Sequence, residues 1–273
     1  MSTFSRSWYL MKTAWGVLRQ DKELVIFPIV SALAAFLVTL AFAIPGFLLQ
    51  AAGGNEAPFY ALLFLYYLVL YTVIIFANAA LIGAALIRLR GGNPTLSDGF
   101  GIASSRFGAI LGYALIAATV GLILHALSRR GTLAEIARSI IGVAWNVVTY
   151  LVVPVLVVEG VGPIEAVKRS ASLLRRTWGE QIAGGMGMGL AFFVLFVGVT
   201  VPVAAGIWLG VTLNSLALIV AFIAVGVLAY VVLALLNATL GGIYSAAVYR
   251  YAAEGELSAQ FAPELIRDAF RTK

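Results

Sequence analysis

The chain has 273 residues, of which 62% are hydrophobic and 11% are charged, and its mean hydropathy is +1.01. Soluble domains carry about a quarter charged residues, so this composition excludes a water-soluble globular fold and indicates an integral membrane protein. The absence of Cys and the presence of one His exclude disulfides, thiolate chemistry and nearly all histidine sites. A net charge of +6 in such a chain favours membrane topology and contact with anionic lipids over binding of nucleic acid.

Charge-free stretches of the sequence predict six membrane-spanning helices. A helix that crosses the roughly 30 Å hydrocarbon core needs about 20 apolar residues, because a charge at mid-bilayer is costly. The charge-free stretches begin after Glu23, Glu56, Arg106, Arg138 and Glu180, and the last one extends to Arg250, which leaves room for two helices. The predicted spans are 24–49, 58–87, 107–127, 138–158, 181–209 and 215–249. The predicted fold class is therefore an all-α polytopic membrane protein.

The first apolar stretch has one alternative interpretation. Ala41-Phe42-Ala43 follows a basic N-terminal region and resembles a signal-peptidase site. The apolar stretch continues past it to Leu49, and the preceding polar region is long for a signal peptide. We therefore interpret the stretch as the first span.

The distribution of Lys and Arg between the predicted loops indicates the orientation. Short cytoplasmic loops are enriched in these residues. With the N-terminus inside, the cytoplasmic side carries fifteen of them and the opposite side carries three, Arg129, Arg130 and Arg138. The sequence therefore predicts a multi-pass protein of a bacterial or archaeal cytoplasmic membrane with both termini in the cytoplasm.

Amphipathic segments precede the first, third and fifth predicted spans. In residues 4–19, apolar side chains recur at steps of three and four beside basic residues, and residues 163–178 repeat this pattern after Pro163. The segment at residues 94–107 is shorter and richer in glycine. Such segments are typical of helices that lie in the membrane interface.

The same order of segments predicts an internal repeat. Each unit would contain one interfacial helix and one transmembrane hairpin, over about 1–90, 91–160 and 161–255, and residues 256–273 would form a cytoplasmic tail. Charged residues and glycines mark the ends of the even-numbered spans, at Arg90-Gly91-Gly92-Asn93-Pro94 and Glu159-Gly160-Val161-Gly162-Pro163. We expect residues 1–255 to form one six-span domain. Repeats of this kind are usual in membrane transport folds, but they also occur in folds that transport nothing.

Three stretches resemble a known family. They are the opening Ser-Trp-x-Leu-x-Lys-x-x-Trp-x-Val-Leu-x-x-Asp-Lys-Glu-Leu from Ser7 to Leu24, the stretch from Pro163 to Gly179, and the ending Ala252-Ala253-Glu254-Gly255. They resemble an uncharacterised bacterial and archaeal family of six-span membrane proteins. More distantly, the chain is similar to the membrane domain of some glycerophosphodiester phosphodiesterases. The resemblance implies fold and membrane location but no activity, because the catalytic domain of those enzymes has no counterpart here.

Three asparagines form the candidate intramembrane polar site. Asn78, Asn146 and Asn237 lie in the three even-numbered spans, and an amide in hydrocarbon must find a polar partner or a hydrated cavity. If the repeat units are related by symmetry, the three side chains would meet at one central site. The alternative is that each amide bonds a neighbouring helix, a contact worth about 0.6–2 kcal/mol.

A basic set near the fifth span forms the candidate contact with anionic lipid. It comprises Lys168, Arg169, Arg175, Arg176 and Trp178 on a helix predicted to lie parallel to the membrane. Each cation near an anionic surface contributes about 1 kcal/mol. The sequence therefore predicts anionic headgroups as partners of the protein.

The sequence contains no predicted catalytic, cofactor or metal site. No phosphate-binding loop and no His-Glu-x-x-His motif is present, and no carboxylate lies inside a predicted span. Because ion coupling commonly uses acidic residues in spans, a standard ion-coupled transporter is disfavoured. The main hypothesis is a non-enzymatic accessory or lipid-interacting component, with a homo-oligomer or a membrane-protein partner left open. The alternative is a facilitative transporter or channel lined by the three asparagines.

Overall fold

The structure is a computed structural model that describes residues 3–51, 53, 56–127, 132–178 and 189–255. Every regular element in these ranges is a helix, which confirms the predicted all-α class. The α-helices are α1 Thr3–Gln20, α2 Ile26–Ala51, α3 Ala57–Leu89, α4 Leu96–Ser105, α5 Phe107–Leu127, α6 Thr132–Val148, α7 Val152–Glu159, α8 Pro163–Trp178, α9 Gly189–Thr212 and α10 Leu216–Tyr249. A 3₁₀ turn, Lys22–Val25, precedes α2, and a π-helical turn, Arg250–Glu254, follows α10.

Six helical segments are long and apolar enough to cross a membrane. They are Lys22–Ala51, Ala57–Leu89, Phe107–His125, Arg138–Glu159, Ala191–Thr212 and Leu216–Glu254. Five of the predicted spans agree with these segments within a few residues. The predicted start of the fifth span, at 181, lies outside the described residues.

A shorter helix precedes each pair of spans, in the order α1 before α2–α3, α4 before α5–α7 and α8 before α9–α10. Helix α4 begins with a capping box: the backbone N–H of Asp98 donates to the hydroxyl of Thr95, and the backbone N–H of Thr95 donates to the Asp98 carboxylate. This reciprocal pair satisfies two N–H groups at the start of α4. The division into three repeat units stays a prediction.

The fourth span, predicted over 138–158, is formed by two helices with a break between them. Helix α6 ends at Val148 and α7 begins at Val152, with turns between them. Pro154 lies in the first turn of α7, and proline in a continuous helix would remove a hydrogen bond and clash with the carbonyl of Tyr150. The break therefore places Pro154 where the helix tolerates it.

The buried Ser170 of α8 stabilises this break. Its hydroxyl donates to the carbonyl of Val148 at 2.7 Å and accepts from the backbone N–H of Leu151 at 3.1 Å. Backbone groups freed inside a membrane span must be satisfied within the protein, because hydrocarbon offers no partner. Helix α8 thus supplies the hydrogen bonds that the break removes from the fourth span.

The hydrophobic core lies toward the end of the bundle where α3 and α10 end. Leu24, Leu156 and Ile243 are fully buried there. At the opposite end, by contrast, Phe47 and Leu216 remain 70% and 73% exposed. In a six-span membrane protein, such apolar exposure is the surface that contacts lipid.

Candidate intramembrane binding site

The structure brings the three predicted asparagines to one cavity. Asn78 lies on α3, Asn146 on α6 and Asn237 on α10, and all three line a space of about 900 Å³ between these helices and α2. This volume lies at the upper end of the range of about 300–1,000 Å³ that is typical of small-molecule sites. The functional role of the three side chains stays a prediction.

Close packing of α3 against α10 positions Asn78. A Cβ atom added to Gly242 would lie 2.4 Å from Cδ2 of Leu81 and 3.6 Å from Oδ1 of Asn78. The glycine therefore lets the two backbones approach closely, as small residues do at interfaces between membrane helices. The amide of Asn78 is half-buried beside this contact, whereas Asn146 and Asn237 are more exposed.

The three amides form no hydrogen bond with another group in the described part of the chain. The alternative of interhelical bonding predicts such a bond at each asparagine. Their common feature in the structure is the cavity that they line. This arrangement favours amides that are available to a ligand or to water over amides that join helices.

The rest of the cavity wall is mainly apolar and carries no charge at neutral pH among the described lining residues. Pro28, Leu81 and Leu235 are among the apolar contributors. The cavity also contains polar groups that were not predicted from the sequence, which are Ser31, Tyr150, Tyr244 and Ser245. Ser31 is visible as a polar residue inside an apolar stretch, but periodicity alone gives no signal for the tyrosines.

The break in the fourth span lies at the cavity. Val147 and Tyr150, on either side of the end of α6, both line the space. Thr149 satisfies the carbonyl of Trp145 with its hydroxyl at 2.7 Å, in addition to its backbone bond. Irregular backbone at membrane depth is tolerated where it lines a cavity or is buried in protein, and both conditions apply here.

The described members of the basic set on α8, which are Lys168, Arg169 and Arg175, are not among the residues that line this cavity. Lys168 and Arg175 are exposed, whereas Nε of Arg169 donates to Oε1 of Glu159 at 3.0 Å. The hydroxyl of Tyr249 also donates to this carboxylate oxygen, at 3.1 Å. Arg169 therefore ties α8 to the end of α7 and is only partly available to lipid. The side chains of Arg176 and Trp178 lie outside the described residues.

Ion pairs join distant segments at the charged end of the bundle. The guanidinium of Arg88 donates to both carboxylate oxygens of Asp21. Glu254 accepts from Arg90 and from Arg250, which lie on different helical segments. Because Asp21, Arg88 and Arg90 belong to the first predicted unit, the contact with Glu254 links it to the third.

Asp98, which lies outside the spans, has a perturbed pKa. Hydrogen bonds from the hydroxyl and the backbone N–H of Thr95 stabilise the charged form of Asp98 and lower the pKa of its carboxyl group. Within the described ranges, no group of three His, Cys, Asp or Glu side chains could hold a metal ion.

Comparison with known proteins supports a family assignment. Residues 57–259 match a family of unknown function (DUF6159), and this region includes α3 to α10 with all three asparagines. No protein of curated function matches the chain significantly.

Proposed function

The chain belongs to the DUF6159 family, whose function is unknown, and we propose that it is a non-enzymatic, lipid-interacting protein of the cell membrane that holds a ligand inside its helical bundle. The observation that supports this proposal is the cavity of about 900 Å³ lined by Asn78, Asn146 and Asn237. A concave, mainly apolar site with a few convergent polar groups is the usual form of a small-molecule site.

The proposal includes the location and the lipid partners of the protein. Fifteen of the 18 Lys and Arg residues fall on one side of the predicted spans, which supports a cytoplasmic membrane with both termini in the cytoplasm. The exposed Lys168 and Arg175 on α8 support contact with anionic headgroups at that surface. The separation of these cations from the cavity makes the two contacts independent.

Native mass spectrometry of the protein released from nanodiscs tests the proposal. We expect the wild-type chain to retain a reproducible small molecule or lipid that Asn78→Leu and Asn237→Leu each reduce. Leucine has a similar shape to asparagine but lacks the amide. The matched control is Asn214→Gly, which removes an exposed amide from the turn before α10, where φ is 49° and glycine is tolerated.

A wild-type chain without any retained molecule would contradict the proposal. A chain that retains only another protein would instead favour a scaffold. In both cases the wild-type chain and the control Asn214→Gly should elute at the same volume in size-exclusion chromatography, which verifies that the chain is folded.

Facilitative transport is the second candidate function, and the broken fourth span supports it. Transport folds commonly build midplane sites from interrupted helices, and Tyr150 at this interruption lines the cavity. The transport function and the ligand-binding function predict different rates of solute passage across a membrane. Transport predicts that proteoliposomes with the wild-type protein pass an uncharged solute faster than those with Asn146→Leu at equal protein stability. A binding protein predicts no such difference.

A further inference from the structure

The depth of the cavity in the membrane follows from helix geometry. Asn78 precedes Arg88 by ten residues on α3, and Asn237 of α10 precedes Arg250, the first residue after α10, by thirteen residues. At a rise of 1.5 Å per residue, the two amides lie about 15 and 20 Å from the charged end. Half of the hydrocarbon core measures about 15 Å, so the amides lie near the middle of the bilayer.

The polar groups at this depth match a neutral partner. Each asparagine amide offers two N–H donors and one carbonyl acceptor, and the hydroxyl of Ser31 can act in either role. No Lys, Arg, His, Asp or Glu is among the described residues that line the cavity. A charged headgroup would therefore enter a site without a counter-charge.

We infer that the cavity takes an uncharged amphiphile whose hydroxyl or carbonyl groups are held by the asparagine amides near mid-bilayer. This inference rests on the proposed function and names the ligand class of the same site. The apolar part of the ligand lies along the walls formed by Pro28, Leu81 and Leu235. The volume of about 900 Å³ suits a ligand with one acyl chain.

The absence of charge among the described lining residues makes the cavity selective. A charge placed at mid-bilayer without a partner is disfavoured on the order of a hundredfold. An uncharged hydroxyl, in contrast, exchanges its hydrogen bonds with water for bonds with the amides. The site therefore discriminates between two lipids that share their acyl chain and differ only in a phosphate.

Two such lipids provide the test. Wild-type protein in phosphatidylcholine nanodiscs is loaded with either monooleoylglycerol or the oleoyl lysophosphatidic acid at equal mole fraction. Retention is then read by native mass spectrometry. Retention in the cavity is the part that Asn78→Leu and Asn237→Leu remove, because lysophosphatidic acid bound at Lys168 and Arg175 of α8 does not depend on these amides. In this part we expect monooleoylglycerol to exceed its phosphorylated counterpart by at least about tenfold. Asn78→Leu and Asn237→Leu are expected to lower this retention, whereas Asn214→Gly is expected to leave it unchanged.

The asparagine variants are compared only when they elute at the same volume as Asn214→Gly, so that loss of folding is not read as loss of binding. Equal or greater retention of the lysophosphatidic acid in the cavity, lost in the asparagine variants, would overturn the inference and leave the proposed function standing. Retention of neither lipid, together with no co-purified molecule, would overturn both.

Discussion

The guanidinium of Arg250 donates from Nη1 to the backbone carbonyl of Leu89, a residue 161 positions earlier in the chain. Leu89 is the last residue of α3, and carbonyl groups at a helix end have no partner within the helix. The side chain of Arg250 is 7% exposed and also donates to Glu254. Arg250 thus satisfies a carbonyl group at the end of α3 and joins the end of α10 to it.

Replacement of Arg250 by Met is expected to lower the free energy of unfolding by about 2–3 kcal/mol, because a buried carbonyl loses its donor and Glu254 loses a partner. Unfolding by SDS in mixed micelles measures the change. The control is Arg90→Met, since Arg90 shares Glu254 but is 48% exposed, and we expect a loss under about 1 kcal/mol. Equal losses in both variants would contradict the role of Arg250.

Adjacent glycines of α10 are expected to respond to alanine with opposite signs. A Cβ at Gly242 would lie 2.4 Å from a buried leucine, so Gly242→Ala should destabilise by about 1–3 kcal/mol. A Cβ at Gly241 meets nothing within 4 Å, so Gly241→Ala should stabilise by up to about 1 kcal/mol. The same SDS titration measures both. Shortening the opposed side chain with Leu81→Ala should relieve part of the loss in Gly242→Ala, and the absence of such coupling would count against the contact.

Removal of the Ser170 hydroxyl is expected to weaken the break in the fourth span. Ser170→Ala leaves the Val148 carbonyl and the Leu151 N–H without their partner, at a cost of about 1–3 kcal/mol. Ligand retention should fall as well, since Tyr150 lies between these two residues and lines the cavity. The control is Ser105→Ala, whose exposed hydroxyl bonds only to the carbonyl of Ile102, with an expected change within about 0.5 kcal/mol. Full stability of Ser170→Ala would refute the proposed stabilisation.

The capping box of α4 is expected to give the protein an acid-sensitive contribution to stability. The pKa of Asp98 is lowered in the folded state, so its contribution is complete above the unfolded pKa of about 3.9 and is lost as the pH falls through the lower folded value. Asp98→Asn removes the titration. The unfolding temperature of the Asp98→Asn variant should therefore fall less than that of the wild type between about pH 5 and about pH 3. Identical pH dependences would argue against a folded-state effect at Asp98.

The predicted orientation is checked by reporter fusions. A reporter fused after Lys273 should be active on the cytoplasmic side, and one inserted at Glu56, between the first two spans, should be active on the opposite side. The control is a fusion at Asn93, between the second and third spans, which should match Lys273. A reversed pattern would overturn the orientation and move the basic helix α8 to the other surface.

The membrane spans could be predicted because each depends on local composition. The stretch without charge between Glu56 and Arg88 has the length of one membrane-spanning helix. The structure has a span there, over Ala57–Leu89. Proline at 154 was a visible local signal, but a proline only indicates that a helix is disturbed. The position of the break depends on Ser170 of another helix, which donates to the Val148 carbonyl and accepts from the Leu151 N–H. A contact between two helices of this kind cannot be predicted from the spacing of residues in the sequence.

The candidate site was only partly predictable for the same reason. Asparagines stand out in apolar spans, so Asn78, Asn146 and Asn237 could be selected from their residue type alone. Their common cavity depends on how α3, α6 and α10 pack, and the approach of α3 to α10 is set by Gly242 against Leu81. The tyrosines of the cavity were missed because aromatic residues are ordinary members of membrane helices.

Because the packed core lies toward one end of the bundle, the two leaflets of the membrane contact different parts of this protein. Helix α10, with 34 residues, is about 51 Å long and exceeds the hydrocarbon thickness, so it must tilt or extend into the headgroups. Its last turns are held by packed side chains, whereas Leu216 and Val227 near its start face the surroundings. We therefore expect changes in acyl-chain length to be absorbed at the start of α10 and in the paired helix α9. The charged end, which is held by packed side chains and ion pairs, is expected to move less.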